Sequence, residues 1–128
     1  MQISDMVVLL CDDSSMLRAI FKQSLVERGF RNFVEAANGE EAITLFKQHH
    51  PDLIFMDIFM PGIDGNETLR KIRLLDPKVP AVMVSSIKSQ DLLMEASEIG
   101  VLDIIRKPWQ PRDIDNMLKK IQDYITNL

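Results

Sequence analysis

The sequence has few cysteines, few aromatic residues and no surplus of positive charge. Cys11 is the single cysteine, so no disulfide can form within the chain, and its apolar neighbours predict a buried, reduced thiol. No apolar run approaches the roughly 18 residues that a membrane-spanning helix needs. Residues 1–10 also lack the basic start of a signal peptide. These absences favour a cytoplasmic protein.

Charge and histidine content argue against two further classes of protein. A net charge of -4 disfavours nonspecific nucleic-acid binding, which requires a basic face. His49 and His50 are adjacent, and neighbours on a helix point apart, so they make a poor zinc site. The sequence also lacks internal repeats, low-complexity segments and linkers. We therefore expect a single domain over residues 1–128.

Short apolar runs alternate with segments in which apolar residues recur at helical spacing. The predicted strands cover residues 7–11, 33–37, 53–56, 81–84 and 103–105. The first helix should follow its cap at Ser14 or Ser15. Its predicted buried face consists of Leu17, Ile20, Phe21 and Leu25. Five strands alternating with five helices predict an α/β fold, a parallel sheet between two layers of helices.

The third predicted strand ends in an aspartate. Residues 53–56 form an unbroken apolar run, which is typical of a strand buried on both faces of a parallel sheet. Asp57 follows at the carboxyl end of this strand, ahead of a loop with Pro61, Gly62 and Gly65. Ligands of open α/β sheets bind at that edge. For this strand alone, a cap that hydrogen-bonds its own loop is the alternative role for Asp57.

Chemically related side chains follow the other strands as well. Right-handed crossovers would place Asp12, Asp13, Asp57, Ser85 and Lys107 at one edge of the sheet. Carboxylates about 4 Å apart repel by roughly 4 kcal/mol per pair at a protein surface. Such a cluster predicts either a raised pKa or a bound divalent cation, and a hard, oxygen-ligated ion such as Mg²⁺ fits these ligands.

This arrangement suits phosphoryl transfer. A metal ion and Lys107 would neutralise the oxygens of the transferring group, while Ser85 donates a hydrogen bond to one of them. Asp57 is the candidate nucleophile, because adjacent Asp12 and Asp13 suit metal binding and a carboxylate can form an acyl phosphate. Considered alone, Lys107 would be interpreted as a surface lysine in an ion pair, and Ser85 as a hydroxyl group that hydrogen-bonds the backbone.

Four motifs resemble those of receiver domains of two-component response regulators, and especially single-domain CheY-like regulators. They are Cys-Asp-Asp-Ser at 11–14, Met-Asp-Ile-Phe-Met-Pro-Gly-Ile-Asp-Gly at 56–65, Val-Ser-Ser at 84–86 and Lys-Pro-Trp at 107–109. The resemblance covers about residues 7–125. It implies a flavodoxin-like sheet with strand order 2-1-3-4-5 and helices on both faces.

The resemblance also implies a site and a donor. Asp57 would accept a phosphoryl group from a phosphohistidine on a sensor histidine kinase or phosphotransfer protein. Mg²⁺, or alternatively Mn²⁺, would be held by Asp12, Asp13, Asp57 and the backbone carbonyl of Phe59. Ser85 and Lys107 would contact the phosphoryl oxygens.

Further implications concern the response to phosphorylation. The peptide bond before Pro108 is expected to be cis, which costs little only before proline. The output partner, whose identity is unknown, should bind the face of the fourth helix, fifth strand and fifth helix. On that face we expect Leu93, Met94, Ile104 and Trp109. Ser85 and Ile104 mark the switch region, but many receivers carry an aromatic residue where this chain has Ile104.

Two bulky apolar residues flank the expected phosphoryl site. Phe59 and Ile87 each lie two residues after a site residue, Asp57 and Ser85 respectively. We expect them to restrict the attacking water and so to slow self-dephosphorylation.

Three other functions compete with phosphorylation-dependent signalling. A phosphohydrolase of the haloacid-dehalogenase type would carry a second acid where this chain has Phe59. A flavin-binding, flavodoxin-like protein would need a phosphate loop rich in Ser, Thr and Gly, whereas Asp12 and Asp13 would repel a phosphate. A receiver that serves only for docking would have no need of all the site residues present here.

Overall fold

The structure is a computed structural model and describes residues 1–86 and 88–128. The strands of this part of the chain are β1 (Val7–Cys11), β2 (Asn32–Ala36), β3 (Leu53–Met56), β4 (Ala81–Ser85) and β5 (Asp103–Arg106). Its α-helices are α1 (Ser15–Val26), α2 (Gly39–His49), α3 (Gly65–Leu75), α4 (Gln90–Ile99) and α5 (Pro111–Thr126). A short 3-10 helix, Ile3–Asp5, precedes β1 and was not predicted.

The strands form one parallel sheet with the order β2-β1-β3-β4-β5, which confirms the predicted fold class. α1 and α5 cover one face of the sheet, and α2, α3 and α4 cover the other. β1, β3 and β4 are buried almost throughout because helices lie on both of their faces. Among the described residues, no helix has the length and apolar character needed to cross a membrane.

Side-chain caps determine where most helices begin. Ser14, Asn38, Asp64 and Ser89 each accept a hydrogen bond from the backbone N–H three residues later, at the start of α1, α2, α3 and α4. Each cap satisfies one of the N–H groups that a helix leaves unpaired in its first turn. Every one of these caps follows a strand end, so capping also fixes the loops at the carboxyl edge of the sheet.

Two expectations about side-chain burial have different outcomes. Cys11 is a free, buried thiol, as predicted, and burial raises its pKa to about 12. In α1, Phe21 and Leu25 are buried, but Ile20 is 50% exposed, so its predicted burial was wrong. Successive helical residues are about 100° apart around the axis. With Phe21 against the sheet, Ile20 is turned toward the carboxyl edge.

Candidate functional site

The parallel register brings the predicted acidic residues together. Cys11 pairs with Met56 across β1 and β3, so the aspartates that follow them, Asp12 and Asp57, lie side by side. Both are largely buried, with 9% and 6% of their surfaces exposed. Asp13 is exposed. Carboxylate oxygens of all three aspartates lie within 4.8 Å of one another.

Backbone groups orient the two buried carboxylates. Asp12 Oδ1 accepts a hydrogen bond of 2.8 Å from the N–H of Ser14. Asp57 Oδ1 accepts one of 3.2 Å from the N–H of Phe59. Both bonds run to the residue two positions later, so each aspartate does bond its own loop, as in the capping role considered for Asp57. Asp57 therefore accepts a hydrogen bond from its own loop and also belongs to the acidic cluster.

Lys107 joins the two buried aspartates. Its Nζ lies 2.5 Å from Asp12 Oδ2 and 3.0 Å from Asp57 Oδ2. Burial lowers the pKa of Lys107, but hydrogen bonds and charge from the two aspartates outweigh it, so the pKa is raised. The N–H of Lys107 donates to the carbonyl of Ser85, and the Lys107–Pro108 peptide bond is cis. Lys107 is therefore an ammonium group at neutral pH.

The pKa of Asp57 depends on its burial and on the charges around it. Burial raises this pKa most, the hydrogen bond and charge of Lys107 lower it, and the charge of Asp12 raises it again. The net result is a raised pKa. One ammonium group thus fails to compensate for burial and repulsion together. A hard divalent cation would supply the missing charge, and the oxygen ligands at this edge suit Mg²⁺.

The loop after Asp57 leads directly into α3. The N–H of Gly65 donates to the carbonyl of Ile58 at 2.7 Å. A Cβ at Gly65 would lie only 2.1 Å from the carbonyl oxygen of Asp57. The glycine therefore allows α3 to begin against the backbone of the central aspartate.

α3 in turn holds α4 at both ends. Asn66, which is fully buried, donates from Nδ2 to the carbonyl of Leu92 at 3.0 Å in the first turn of α4. At the other end, Arg73 donates to the carbonyls of Ile99 and Gly100 at 3.1 and 3.2 Å. Polar contacts from the first and last turns of α3, which begins at the end of the Asp57 loop, therefore hold both ends of α4.

An apolar groove of about 610 Å³ opens above the cluster. Asp12, Asp13, Asp57 and Lys107 lie at one side of it, and its other lining residues include Leu17, Ile20, Phe59, Pro108 and Trp109. The ring of Phe59 is 68% exposed. Ile87, the other residue predicted to restrict water, lies outside the described residues. The acidic cluster is thus reached through an apolar entrance.

The residues predicted for the partner surface fall into two places. Leu93, Met94 and Ile104 line one groove of about 450 Å³ between α4 and β5, together with Arg106. Trp109 does not line that groove. Its ring packs edge-to-face on Phe21, with centroids 5.0 Å apart, at the apolar entrance to the acidic site.

The two switch residues differ in their surroundings. Ser85 is the last residue of β4 and is 1% exposed. Ile104 lies in β5, is only partly buried, and reaches the groove between α4 and β5. Ser85 thus belongs to the acidic edge, and Ile104 to the predicted output face.

Sequence reasoning missed Arg18. Its Nη1 donates to the backbone carbonyl of Asp12 at 2.5 Å, and its Nε donates to Glu35 at 3.0 Å. The available signal was a basic residue one turn after Ser14, the cap of the helix that follows Asp12. The apolar entrance was missed because Ile20 had been assigned to the core.

Comparison with known proteins identifies the family. Residues 8–119 match the family model of the response regulator receiver domain. The chemotaxis protein CheY of Bacillus subtilis is 38% identical over 103 residues, which span 80% of this chain and 86% of that protein. CheY of Thermotoga maritima is 33% identical over 114 residues, 89% of this chain and 95% of that protein.

The fold supports the same assignment. The structure is similar to a chain in the crystal structure of the CheX–CheY–BeF3–Mg complex from Borrelia burgdorferi, with a TM-score of 0.84. Identity is 28%, and the match covers 91% of this chain and 88% of that one. The predicted resemblance is thereby confirmed, and the chain belongs to the response regulator receiver domain family.

Proposed function

We propose that this receiver domain is a signalling module in which Asp57 takes a phosphoryl group from a phosphohistidine of a sensor histidine kinase or phosphotransfer protein. The observation that carries the proposal is the position of Lys107, whose Nζ contacts both Asp12 and Asp57 in the acidic cluster. A buried carboxylate beside an ammonium group and two further acids is arranged to receive a polyanion together with a cation.

In the transfer step, a carboxylate oxygen of Asp57 attacks the phosphorus atom. The bond from phosphorus to the imidazole nitrogen of the donor breaks, and an acyl phosphate forms on Asp57. Lys107 neutralises a phosphoryl oxygen, and the Ser85 hydroxyl donates a hydrogen bond to another. The apolar entrance at Phe59 and Trp109 limits water around the reacting atoms.

The proposed metal ligands are Asp12, Asp13, Asp57 and the backbone carbonyl of Phe59. Mg²⁺, or Mn²⁺ in its place, would supply the positive charge that Lys107 alone does not provide. The crystal structure from Borrelia burgdorferi, which contains BeF3 and Mg, supports this ligand chemistry in a chain of similar fold.

The proposed output of phosphorylation is a change in the binding of a partner protein. The groove of Leu93, Met94 and Ile104 provides the apolar part of the binding face, while Ser85 provides the link to the phosphoryl group. We propose that residues 1–128 act as one receiver domain that catalyses only its own phosphorylation and dephosphorylation. No nucleic acid or membrane takes part in this cycle.

The test is incubation with Mg²⁺ and a small phosphodonor, followed by intact mass measurement. We expect the wild type to gain one phosphoryl group. Asp57→Asn should abolish the gain, and Asp91→Asn, at an exposed position of α4, should retain it. A wild type that gains nothing, or an Asp57→Asn variant that is modified equally, overturns the proposal.

A further inference from the structure

Arg18 connects the acidic cluster to the edge of the sheet. Its Nη1 donates to the carbonyl of Asp12 at 2.5 Å, and its Nε donates to Glu35 Oε1 at 3.0 Å. The Arg18 side chain is only 17% exposed. Glu35 lies on β2, the strand next to β1. The guanidinium group thus joins the first helix, the loop after β1 and the edge strand.

The carbonyl that Arg18 contacts has a particular position in the chain. It belongs to the peptide unit between Asp12 and Asp13, the two aspartates proposed as adjacent metal ligands. Other hydrogen bonds hold the flanking groups: the N–H of Asp12 donates to Ala36, and the N–H of Ser14 donates to the Asp12 carboxylate. Arg18 holds the carbonyl between them, so the orientation of this peptide unit depends on its side chain.

The charge of Arg18 acts against cation binding. Its guanidinium group contacts the backbone carbonyl of Asp12, so it lies near the carboxylate of that residue. A nearby positive charge repels a metal ion. If Arg18 acted only through its charge, its removal would tighten Mg²⁺ binding. If it acts by holding the peptide unit, removal would weaken binding, because the ligands would have to be ordered during binding.

Glu35 completes the arrangement. Its two oxygens accept separate hydrogen bonds, Oε1 from Arg18 and Oε2 from Lys22, each at 3.0 Å. The planar guanidinium group can therefore contact Glu35 and the Asp12 carbonyl in one fixed orientation. Lys22 shares Glu35, and within the part of the chain that the structure describes it forms no hydrogen bond with the loop after β1. It is a natural control.

We propose that Arg18, held by Glu35, is a positioning residue that orients the Asp12–Asp13 peptide unit for divalent cation binding. The inference rests on the proposed function, since it concerns the same metal ligands. The inference gives Arg18 and Glu35, which lie outside the acidic cluster, a role in metal binding. It predicts that Mg²⁺ binds more weakly without Arg18, whereas removal of a positive charge alone would tighten Mg²⁺ binding.

The test is a titration of the full chain with Mg²⁺ alone, followed by amide chemical shifts in ¹H–¹⁵N NMR spectra. The Asp13 amide reports directly on the peptide unit, because its nitrogen is bonded to the Asp12 carbonyl carbon. We expect Arg18→Met to weaken Mg²⁺ binding about threefold to tenfold, the range of one net hydrogen bond. It should also shift the Asp13 amide before any Mg²⁺ is added.

Three further variants test whether Arg18 acts by positioning the peptide unit. Glu35→Gln should weaken Mg²⁺ binding and also shift the Asp13 amide before any Mg²⁺ is added, whereas loss of its negative charge alone would weaken binding without reorienting the peptide unit. The double variant should bind no more weakly than Arg18→Met alone, because both act through one group. Lys22→Met should change the affinity by less than about twofold. Tighter or unchanged Mg²⁺ binding in Arg18→Met overturns the inference, as does an unchanged Asp13 amide shift.

Failure of the inference can be told apart from failure of the proposed function. A wild type that binds no Mg²⁺ and takes no phosphoryl group contradicts both. A wild type that does both, with Arg18→Met equal to it in affinity, contradicts only the role of Arg18. Thermal unfolding of each variant checks that the chain is folded, and Glu35→Gln, at an exposed residue, provides a second route if Arg18→Met unfolds.

Discussion

Gly65 packs against Asp57 so closely that no side chain fits between them: a Cβ at position 65 would lie 2.1 Å from the Asp57 carbonyl oxygen. This contact involves rigid backbone and cannot be relieved by a rotamer change. The start of α3 and the backbone of the central aspartate are therefore placed by the same glycine.

We predict that Gly65→Ala displaces the Asp57 loop. The displacement should lower the free energy of unfolding by about 1–3 kcal/mol, the usual range for inserting a methyl group into a packed site. Phosphorylation by a small donor should slow as well, because Asp57 moves relative to Lys107. Denaturant unfolding and intact mass time courses measure the two effects.

Gly62→Ala is the matched control for this change. Gly62 has a φ of +80°, but a Cβ there would meet nothing within 4 Å. Alanine should therefore cost about 1–2 kcal/mol in backbone conformation and leave the phosphorylation rate near that of the wild type. Equal loss of rate in both variants would contradict the role of the Gly65 contact.

A second prediction concerns pH. Because the pKa of Asp57 is raised in the folded chain, the folded state binds more protons than the unfolded state as pH rises from about 4 through the raised value. The free energy of unfolding of the wild type, measured relative to that of Asp57→Asn, should therefore fall through this window. In the absence of divalent cations, Asp57→Asn should be the more stable protein at pH 7, and the difference should vanish below about pH 3.5.

Thermal or denaturant unfolding across pH, in a chelating buffer, measures this effect. Addition of excess Mg²⁺ at pH 7 should stabilise the wild type more than Asp57→Asn, because a ligand that binds only the folded state raises stability by mass action. A wild type that gains stability relative to Asp57→Asn as pH rises toward neutrality would disagree with a raised pKa.

A third prediction addresses the lifetime of the phosphorylated state. Phe59 is 68% exposed and lines the entrance above the site, and we propose that it restricts the attacking water there. Phe59→Asn should accelerate self-dephosphorylation by about tenfold, equivalent to roughly 1.4 kcal/mol in activation free energy. Loss of the phosphoryl group over time, followed by intact mass, gives the rate.

Met94→Asn is the control, because it replaces another exposed apolar residue, 58% exposed, on α4. It should leave the dephosphorylation rate unchanged. If Phe59→Asn and Met94→Asn behave alike, the ring at position 59 has no effect on the attacking water.

The positions of Asp12, Asp57, Ser85 and Lys107 could be predicted because the fold places every strand end at one edge. These positions follow once strands and helices alternate along the chain, and the apolar pattern of the sequence indicates that alternation. In a parallel sheet, backbone geometry alone brings such residues together.

Arg18, Ile20 and Trp109 could not be predicted in this way. A long side chain such as that of Arg18 can reach several partners, and the packing of three elements determines which of them it contacts. Ile20 fits helical spacing equally well whether it faces the core or the edge groove. Trp109 was expected with Leu93, Met94 and Ile104 on the output face that the family resemblance implies, whereas its ring packs on Phe21 at the apolar entrance.

The two attachments of α4 to α3 limit how that helix can move. Asn66 holds its first turn and Arg73 its last carbonyls. Between these two attachments, Arg70 of α3 also forms an ion pair of 3.2 Å with Glu95 of α4. A helix held in this way cannot slide along its axis without breaking an attachment, and it can turn about the line that joins its held ends only if the ion pair opens. Rotation would change which side chains α4 presents beside Ile104 while the helix keeps its place on the sheet. An output partner would then detect the angle of α4 rather than its position.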